Sequence, residues 1–357
     1  MRIAVDAREL TGRPTGVGRF LTGILEAWST LPAAASHSVT LCTSDPLASA
    51  PRAAAVSTVA GGGGTWWEQR VLPGLIRKAD ADVLLAPGYT APLFCPAPIV
   101  VAIHDVSFAA HPEWFTWRQG IRRRALTRLT ARKAARVITI SEFSKREIAR
   151  HLGIDAGKID VIYPGTVDRR PDSTTTTAEP TLLYVGSLFN RRHIPELIDG
   201  FARLARRMAG TRLEIVGDNR TVPHVDIDGL ASASGVGDRI ACRTYLPEDA
   251  LASLYARARA FVFLSEYEGF GLTPLEALSA GIPIVVLDTP VSREVYGDAA
   301  LYLPRPDPAL IEAALERVLL DETERARLLS AAPDVLARYS WQRCAAGVLD
   351  VLLASAR

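Results

Sequence analysis

Two glutamates, Glu268 and Glu276, stand eight positions apart around a glycine-containing junction between an apolar run and a helical pattern. The pattern predicts Thr273 as the N-cap of that helix and Pro274 as its first residue. The first backbone amides of a helix lack acceptors within it, so this junction suits a phosphate. Carboxylates are poor phosphate ligands and good acceptors for sugar hydroxyls. The combination indicates a nucleotide sugar.

A second candidate cluster follows Gly186, where an apolar run ends and a helical pattern begins. Two adjacent cations, Arg191 and Arg192, stand at this predicted strand-to-helix turn. Cations there suit a diphosphate, because they neutralise the negative charge that grows as a sugar–phosphate bond breaks. The alternative is an exposed basic pair at a helix start that binds no ligand.

Polar residues also follow two apolar runs of the first half of the chain. His104 and Asp105 end the run that precedes them, which makes His104 either a functional group or a hydrogen-bonded core residue. Gly16 and Gly18 follow the first run and let backbone amides approach a diphosphate or an acceptor. A dinucleotide fingerprint needs a third glycine where this chain has Leu21, so an NAD enzyme is disfavoured.

The elements that must position these residues alternate between short apolar runs and helical patterns. At 357 residues and 48% hydrophobic content, the chain suits two α/β domains, each a doubly wound, Rossmann-like sheet covered by helices. The predicted strands are Ile3–Val5, Ser38–Thr43, Val83–Ala86, Ile99–His104, Val137–Ile140 and Ile159–Ile162 in the first half, and Thr181–Val185, Arg212–Val216, Ile240–Arg243, Ala260–Leu264, Ile284–Leu287 and Ala300–Leu303 in the second.

We predict a first domain over 1–168, a polar linker over 169–180 and a second domain over 181–340. Ligands of such sheets bind beyond the carboxyl ends of the strands, so the domains are expected to face each other across a cleft. The chain has no apolar run long enough to span a bilayer and starts like a strand rather than a signal peptide, which favours a cytoplasmic location. Its four cysteines are too far apart to indicate a zinc site or a disulfide framework.

Charge is unevenly distributed along the chain. The net charge is +2, but residues 1–168 carry +6 and the remainder −4. Two interpretations of the basic excess stay open. It forms a surface for anionic lipid or for a lipid-diphosphate acceptor on the inner face of the membrane, or it is simply a solvated helix face. No nucleic-acid-binding module accompanies it. Ile121, Leu126 and Leu129 are predicted to face inward from one long helix that carries Arg118, Arg122, Arg123, Arg124, Arg128, Arg132, Lys133 and Arg136.

A further segment, Gly61-Gly62-Gly63-Gly64 followed by Thr65-Trp66-Trp67-Glu68-Gln69, is the one low-complexity stretch. Two readings stay open for it: an acceptor-side flap, or a loop that anchors its aromatic side chains in the core.

The segment from Phe261 to Val286 resembles the Glu-x7-Glu signature of the family-4 retaining glycosyltransferases over about thirty residues, and this family has the GT-B arrangement of two Rossmann-like domains. The segment from Val185 to Ile198 resembles the family's Gly-x-Leu-x-x-Arg-Lys-Asn element. In that element Arg192 replaces the usual lysine and His193 the usual asparagine. Arginine binds phosphate as a planar fork rather than as a point charge, so the phosphate geometry cannot be a simple copy.

The resemblance implies transfer of a hexose from a nucleotide diphosphate sugar to a glycan or lipid-linked glycan, with the last helix, 341–357, packing back on the first domain. Because the segments at Trp66 and His104 are similar to bacterial mannosyltransferases of surface polysaccharide synthesis, GDP-mannose is the first expected donor, ahead of a UDP-hexose or UDP-N-acetylhexosamine. The expected catalytic residues are His104, Arg191, Arg192 and Glu268, and the expected donor-binding residues are Gly16, Gly18, Gly186, Gly269, Phe270, Gly271, Leu272, Thr273, Glu276 and Tyr245.

No cofactor or metal ion is expected. Asp-x-Asp occurs twice, at 80–82 and 226–228, but neither copy follows a predicted strand as a metal-binding copy would. A nucleotide-sugar 2-epimerase or hydrolase, and a non-catalytic nucleotide-sugar-binding module, are the alternatives from other classes. The first usually carries further cleft histidines and carboxylates, and the second tends to lose the glutamates or the cations.

Overall fold

The computed structural model describes residues 1–12, 16–47, 54–59, 63–170 and 180–356. The chain divides into two compact units, one formed by Met1–Gly165 with Tyr339–Arg357 and the other by Thr166–Arg338. Arg169 and Arg170, predicted to start the linker, belong to the second unit. The part of the predicted linker at 171–179 and the glycines at 61–62 lie outside the described residues.

The first unit contains a parallel sheet whose central strands are buried on both faces, which explains their near-continuous apolar sequences. The strands are β1 Arg2–Asp6, β2 Ser38–Thr43, β3 Ala54–Thr58, β4 Val83–Ala86, β5 Ile99–Ala102, β6 Arg136–Thr139 and β7 Ile159–Val161. Their order is β3-β2-β1-β4-β5-β6-β7. The helices are α1 Gly16–Trp28, α2 Thr65–Arg70, α3 Leu72–Lys78, α4 Ser107–Ala110, α5 Trp117–Lys133 and α6 Glu142–Leu152, with 3-10 turns at Arg8–Leu10, Pro32–Ser36, Pro112–Trp114 and Ala156–Lys158.

The sequence did not predict β3, and four predicted strands of this unit have other bounds in the structure, namely β5, β6, β7 and β1, which is one residue longer at each end than predicted. The missed strand pairs only with β2 at the edge of the sheet, and an edge strand does not need the apolar run that marks a central one. β5 ends at Ala102 rather than at His104, so the histidine lies two residues beyond the strand. β6 and β7 end one residue earlier than predicted.

The second unit repeats the architecture with six parallel strands in the order β10-β9-β8-β11-β12-β13. The strands are β8 Thr181–Val185, β9 Arg212–Val216, β10 Ile240–Arg243, β11 Ala258–Phe263, β12 Ile284–Leu287 and β13 Ala300–Leu303. The helices are α7 Ile194–Arg207, α8 Ile227–Ala233, α9 Glu248–Arg257, α10 Leu272–Ser279, α11 Pro290–Tyr296, α12 Pro308–Leu320 and α13 Glu322–Leu336, with 3-10 turns at Asn190–Arg192, Gly237–Arg239 and Gly297–Ala299.

The last helix, α14 Trp341–Ser355, packs on α1 within the first unit. The indole of Trp28 donates to the carbonyl of Ala345 at 2.9 Å. Trp341 lies so close to Gly23 and Gly165 that a Cβ on either glycine would overlap it. Small residues at these two positions therefore make room for the tryptophan.

The basic helix α5 differs from its prediction in which residues face inward. Its buried positions are small or polar, among them Thr127, Thr130 and Ala131, whereas Ile121 and Leu129 are exposed. Arg136 is not on this helix, because it begins β6, where its guanidinium pairs with Asp160. The prediction failed because small side chains let α5 pack closely, so burial did not require the larger apolar ones.

Of the two adjacent tryptophans, one is anchored in the core, as the second interpretation of their segment expects. Both lie on α2, but Trp67 is fully buried, and its indole donates to the carbonyl of Val59 at 3.0 Å. Trp66 is exposed. Across the described residues, none of the helices is both long enough and apolar enough to span a bilayer.

Candidate functional site

The strand order of the second sheet reverses between β8 and β11, which lie side by side although β9 and β10 separate them in the chain. Loops that leave two such strands diverge and open a crevice at their carboxyl ends. The loop after β8 carries the two predicted arginines, and the loop after β11 carries Glu268. The sheet topology therefore brings the two predicted clusters together.

The loop after β8 starts where its backbone packs closely against the backbone that follows β9. Gly186 has a φ of 150°, and a Cβ there would lie 2.7 Å from a guanidinium nitrogen of Arg192. Gly217, at the end of β9, lies against the carbonyl of Gly186 so closely that a Cβ would overlap it. Gly186 is thus part of the site because its missing side chain makes room for Arg192.

Arg192 and Glu268 form an ion pair between the two loops. The Nε of Arg192 donates to Oε1 of Glu268 at 2.8 Å, and Nη1 donates to the carbonyl of Ser187 at 2.8 Å. Its guanidinium also stacks over the ring of Phe263, 4.9 Å from the centroid. Burial disfavours the charged form of Arg192, but the Glu268 carboxylate outweighs this and raises the arginine's pKa above its ordinary value. The pair is therefore a fixed, charged unit.

Arg191 bonds the backbone of the loop after β11. Its Nε donates to the carbonyl of Tyr267 at 3.2 Å, and its own carbonyl accepts from the amide of Glu266 at 3.0 Å. The guanidinium stacks over Phe189 at 4.2 Å from the ring centroid. These contacts place both arginines between the same two loops, so they are not a merely exposed basic pair.

His193 ends this turn with a left-handed backbone, φ 52°, and caps α7. Its ring nitrogens lie 3.3 Å from Glu266 and 3.4 Å from Glu196. Burial lowers the pKa of His193, but the two carboxylates outweigh it and raise the pKa above the usual value. Asparagine and histidine both tolerate the left-handed region better than most residues, which explains how histidine fits where the family usually has asparagine.

The start of α10 differs from the prediction. Gly271, not Thr273, occupies the N-cap position, with φ 93° and no side-chain capping bond, and the helix begins at Leu272. Thr273 and Pro274 are its second and third residues, so Glu276 lies beyond the first turn. A Cβ at Gly271 would overlap the hydroxyl of Tyr296, and only glycine combines that conformation with that neighbour.

Glu276 is buried and has a partner that sequence reasoning assigned to the linker. The Nε of Arg169 donates to Oε2 of Glu276 at 2.8 Å, and the hydroxyl of Tyr255 lies 3.4 Å from the same oxygen. The other edge of the guanidinium bonds Glu248 at 2.6 Å. Arg169 was not predicted as a site residue, because it lies in a polar segment with the composition of a linker. Nothing in its neighbouring sequence indicates a partner 107 positions away.

The remaining predicted donor-binding residues of this unit lie on the same edge of the sheet. Gly269 and Phe270 are buried in the loop after β11, and Leu272 and Thr273 are half-buried in the first turn of α10. Tyr245 follows β10, the strand at the edge of the sheet, and is exposed. The structure thus groups all of these except Tyr245 around the junction of β11 and α10.

In the first unit, His104 is buried beyond the end of β5. Its Nε2 lies 2.9 Å from the carbonyl oxygen of Pro87, an acceptor only, so Nε2 carries the proton and Nδ1 is an acceptor. Burial lowers the pKa of His104, which keeps the ring neutral. A neutral ring with this tautomer accepts a hydrogen bond from a hydroxyl.

The other predicted residues of the first unit have local structural partners. Asp105 accepts from the amide and hydroxyl of Ser107 at 2.9 and 2.7 Å, and from the hydroxyl of Tyr89 at 3.0 Å. It therefore caps the turn that starts α4. Gly16 and Gly18, which follow the first apolar run, lie in the first turn of α1.

The two Asp-x-Asp segments have other roles. Asp80 and Asp82 pair with Arg2, and Asp226 caps α8 by accepting from the amide of Gly229 at 2.9 Å. Within the described ranges, no group of three or more histidine, cysteine, aspartate or glutamate side chains is arranged to hold a metal ion.

Comparison with known proteins identifies the family. The family model "Glycosyltransferase Family 4" matches residues 14–170, and the model "Glycosyl transferases group 1" matches residues 168–335. The glycogen synthase of Mycobacterium tuberculosis is 30% identical over 293 residues, which cover 77% of this chain and 68% of that protein. The chain belongs to the group 1 and family 4 glycosyltransferases. The predicted family is confirmed.

Other similar proteins support this glycosyltransferase assignment. The O-antigen chain mannosyltransferase RfbU of Salmonella typhimurium is 26% identical over 253 residues, covering 71% of this chain and 68% of that protein. The crystal structure of HepE from Anabaena, in complex with UDP and glucose, superposes with a TM-score of 0.77 at 18% identity, over 99% of this chain and 100% of that chain. The structural likeness confirms the predicted GT-B fold class.

Proposed function

We propose that this glycosyltransferase moves a hexose from a nucleotide diphosphate sugar to a hydroxyl of a glycan or lipid-linked glycan, with retention at the anomeric carbon and without a required metal ion. The observation that carries the proposal is the Arg192–Glu268 pair at the reversal point of the second sheet, beside the first turn of α10. Helix N-termini bind anions, and ligands of parallel sheets bind where the strand order reverses. This position therefore suits both the phosphates and the sugar of the donor.

Each group has a role in this reaction. Departure of the diphosphate leaves a sugar with cation-like character and a leaving group with growing negative charge. Arg191, Arg192 and the amides of the first turn of α10 stabilise that leaving group. Glu268 accepts hydrogen bonds from the sugar hydroxyls, and Glu276 from the ribose hydroxyls. His104, on the first unit, accepts from a sugar hydroxyl through Nδ1.

GDP-mannose is the first donor in this proposal. Support comes from the mannosyltransferases among the relatives, which include the O-antigen mannosyltransferase and a GDP-mannose-dependent mannosyltransferase of Komagataeibacter xylinus, 29% identical over 227 residues. A UDP-hexose is the second candidate, since the neighbour of known structure binds UDP and glucose. Glycogen synthases among the relatives leave the donor base open between these candidates.

Thermal unfolding with millimolar GDP, UDP, ADP or NAD, each in the presence of EDTA, tests the donor and the metal independence together. A nucleotide at 100 times its Kd stabilises the native state by about 2.7 kcal/mol. For a unit of this size that is a rise of roughly 5 to 10 °C in Tm. A rise with GDP alone supports GDP-mannose, and a rise with UDP alone selects the second candidate. A rise only with NAD, or with none of the four, contradicts the proposal.

We further propose that α5 contacts an anionic membrane surface. Trp117, Ile121, Ala125 and Leu129 recur every four residues and are all exposed, and Trp117 is 76% exposed. An exposed apolar stripe on a helix flanked by arginines suits the boundary between lipid headgroups and acyl chains. The exposed arginines beside the stripe include Arg118, Arg122, Arg124 and Arg132.

Phe94 extends the exposed apolar surface beyond the helix. Its ring is 85% exposed, and the ammonium of Lys133 lies over it at 4.7 Å from the centroid. An aromatic ring with a cation beside it matches the two attractions that hold a protein to an anionic membrane, burial of apolar area and contact with lipid charge.

Sedimentation with vesicles of phosphatidylcholine and phosphatidylglycerol tests this contact. The wild type is expected to bind in proportion to the anionic fraction and to be released by salt. Trp117→Ala should weaken binding, and Trp66→Ala is the matched control, because that tryptophan is also exposed but lies on α2. Equal loss in both variants, or binding to neutral vesicles alone, would support a solvated face for α5 instead.

A further inference from the structure

Arg169 is held on two edges and one face. Its Nε bonds Glu276 at 2.8 Å, Nη1 bonds Glu248 at 2.6 Å, and the guanidinium lies over the ring of Tyr255, 4.8 Å from the centroid. Only 6% of the Arg169 side chain and 3% of the Glu276 side chain is exposed. A planar cation with these contacts cannot rotate without breaking several of them, so it fixes the carboxylate it bonds.

The backbone beside Arg169 is anchored to the same helix as Glu276. The amide of Arg169 donates to the hydroxyl of Ser279 at 3.1 Å, and that hydroxyl lies 3.0 Å from the carbonyl of Val167. Ser279 is the last residue of α10, which also carries Glu276. Both the main chain and the side chain of Arg169 are therefore positioned relative to one helix.

A carboxylate that accepts hydrogen bonds from ribose hydroxyls has to be turned so that its oxygens face them. The buried guanidinium of Arg169 sets the plane of the Glu276 carboxylate, because a guanidinium and a carboxylate prefer to lie edge to edge.

We propose that Arg169 is a positioning residue that holds the Glu276 carboxylate for the ribose of the donor nucleotide. This inference rests on the proposed function of Glu276. Arg169 lies where the chain enters the second unit. In this role it determines how strongly the enzyme prefers a ribonucleotide to a deoxyribonucleotide.

The test compares the Kd of GDP and UDP with those of their 2′-deoxy and 3′-deoxy analogues. Arg169→Met is the main variant, and Glu248→Gln is the matched control, because it neutralises the exposed partner of Arg169 while leaving the bond to Glu276 intact. In Arg169→Met we expect the ribose preference of the wild type to fall about tenfold or more, as for loss of a charged hydrogen bond. In Glu248→Gln it should stay within a factor of two or so.

Steady-state kinetics distinguish a positioning role for Arg169 from a merely structural one. Loss of positioning should raise KM for the donor while kcat at saturating donor stays within a few-fold, whereas unfolding would reduce the active fraction and leave KM unchanged. If Arg169→Met does not fold, Arg169→Lys replaces it, since a point charge cannot hold both edges, and its ribose preference should also fall. An undiminished preference in the folded variant overturns the inference.

Glu276→Gln distinguishes failure of this inference from failure of the proposed function. Loss of the ribose preference in Glu276→Gln but not in the Arg169 variant overturns the role of Arg169 alone. A wild-type preference in Glu276→Gln overturns the ribose role of Glu276, and with it the role of Arg169. Loss in both, with the control unchanged, supports the inference.

Discussion

Replacing Arg192 by methionine removes a charge but keeps most of the side-chain volume, and the structure gives the expected cost. Only 12% of the Arg192 side chain is exposed, and Glu268 is nearly as buried, so the variant leaves a carboxylate without its cation. Breaking a buried pair on one side costs about 3 to 5 kcal/mol. Because both side chains keep some solvent contact, we expect the lower value, about 3 kcal/mol in the stability of the second unit.

The expected loss of activity has a different origin and a different size. Arg192 stabilises charge that develops on the leaving diphosphate, and removal of one such group costs about 100-fold or more in kcat. The double variant Arg192→Met/Glu268→Gln separates the two effects. It has no unpaired charge, so most of the stability should return, while turnover should stay low.

The assay measures thermal unfolding and kcat at saturating donor for both variants. A loss of about 3 kcal/mol corresponds to a fall in Tm of roughly 6 to 12 °C for a unit of this size. Arg293→Met is the matched control, because Arg293 also bonds a carboxylate, Asp288, at 2.7 Å and stacks on Tyr302, but its side chain is 53% exposed. It should lose at most about 1 kcal/mol and keep full turnover.

Two results would refute the reasoning. Turnover of Arg192→Met within tenfold of the wild type would mean that the arginine does not stabilise the leaving group. A double variant as unstable as the single one would mean that the cost does not come from the unpaired Glu268.

Three further predictions concern a glycine, a histidine and a tryptophan. Gly271→Ala should weaken nucleotide binding and lower Tm more than Gly281→Ala, since both glycines have positive φ but only the first alanine would meet a tyrosine hydroxyl; equal effects in thermal unfolding and nucleotide titration would contradict this. The pKa of His193 is raised in the folded protein, so its contribution to stability is complete below the unfolded pKa of about 6.5 and is lost as the pH rises through the folded pKa. The urea midpoint of the wild type should therefore fall between about pH 6 and pH 8.5, and His193→Asn should flatten that dependence. An unchanged dependence of the midpoint on pH would exclude the histidine as its cause. Trp341→Ala should destabilise the first unit by about 3 kcal/mol, whereas Trp117→Ala, on an exposed surface, should change stability by less than about 0.5 kcal/mol; similar Tm values for the two would show that Trp341 does not hold α14.

Much of the fold was predictable because its signals are local. Strands buried on both faces need continuous apolar runs, and seven of the predicted strands, such as Thr181–Val185 and Ile284–Leu287, have the observed bounds. The edge strand at Ala54–Thr58 was missed because half of its environment is solvent. The cap of α10 was misplaced because Thr273 and Pro274 satisfy the usual preferences, while the position of Tyr296 made Gly271 the residue that fits.

By itself the sequence determined the alternation of strands and helices, the family, and the residue types of the candidate site. Each of these depends on neighbours within one element or one junction. The tertiary structure decided the pairs: Arg192 with Glu268, 76 residues apart, and Arg169 with Glu276, 107 residues apart. Those partners meet because parallel sheet order places β8 beside β11 and brings the segment before β8 onto α10. A buried ion pair forms only when the tertiary structure brings its two residues together. Such a pair produces no periodic pattern in the sequence.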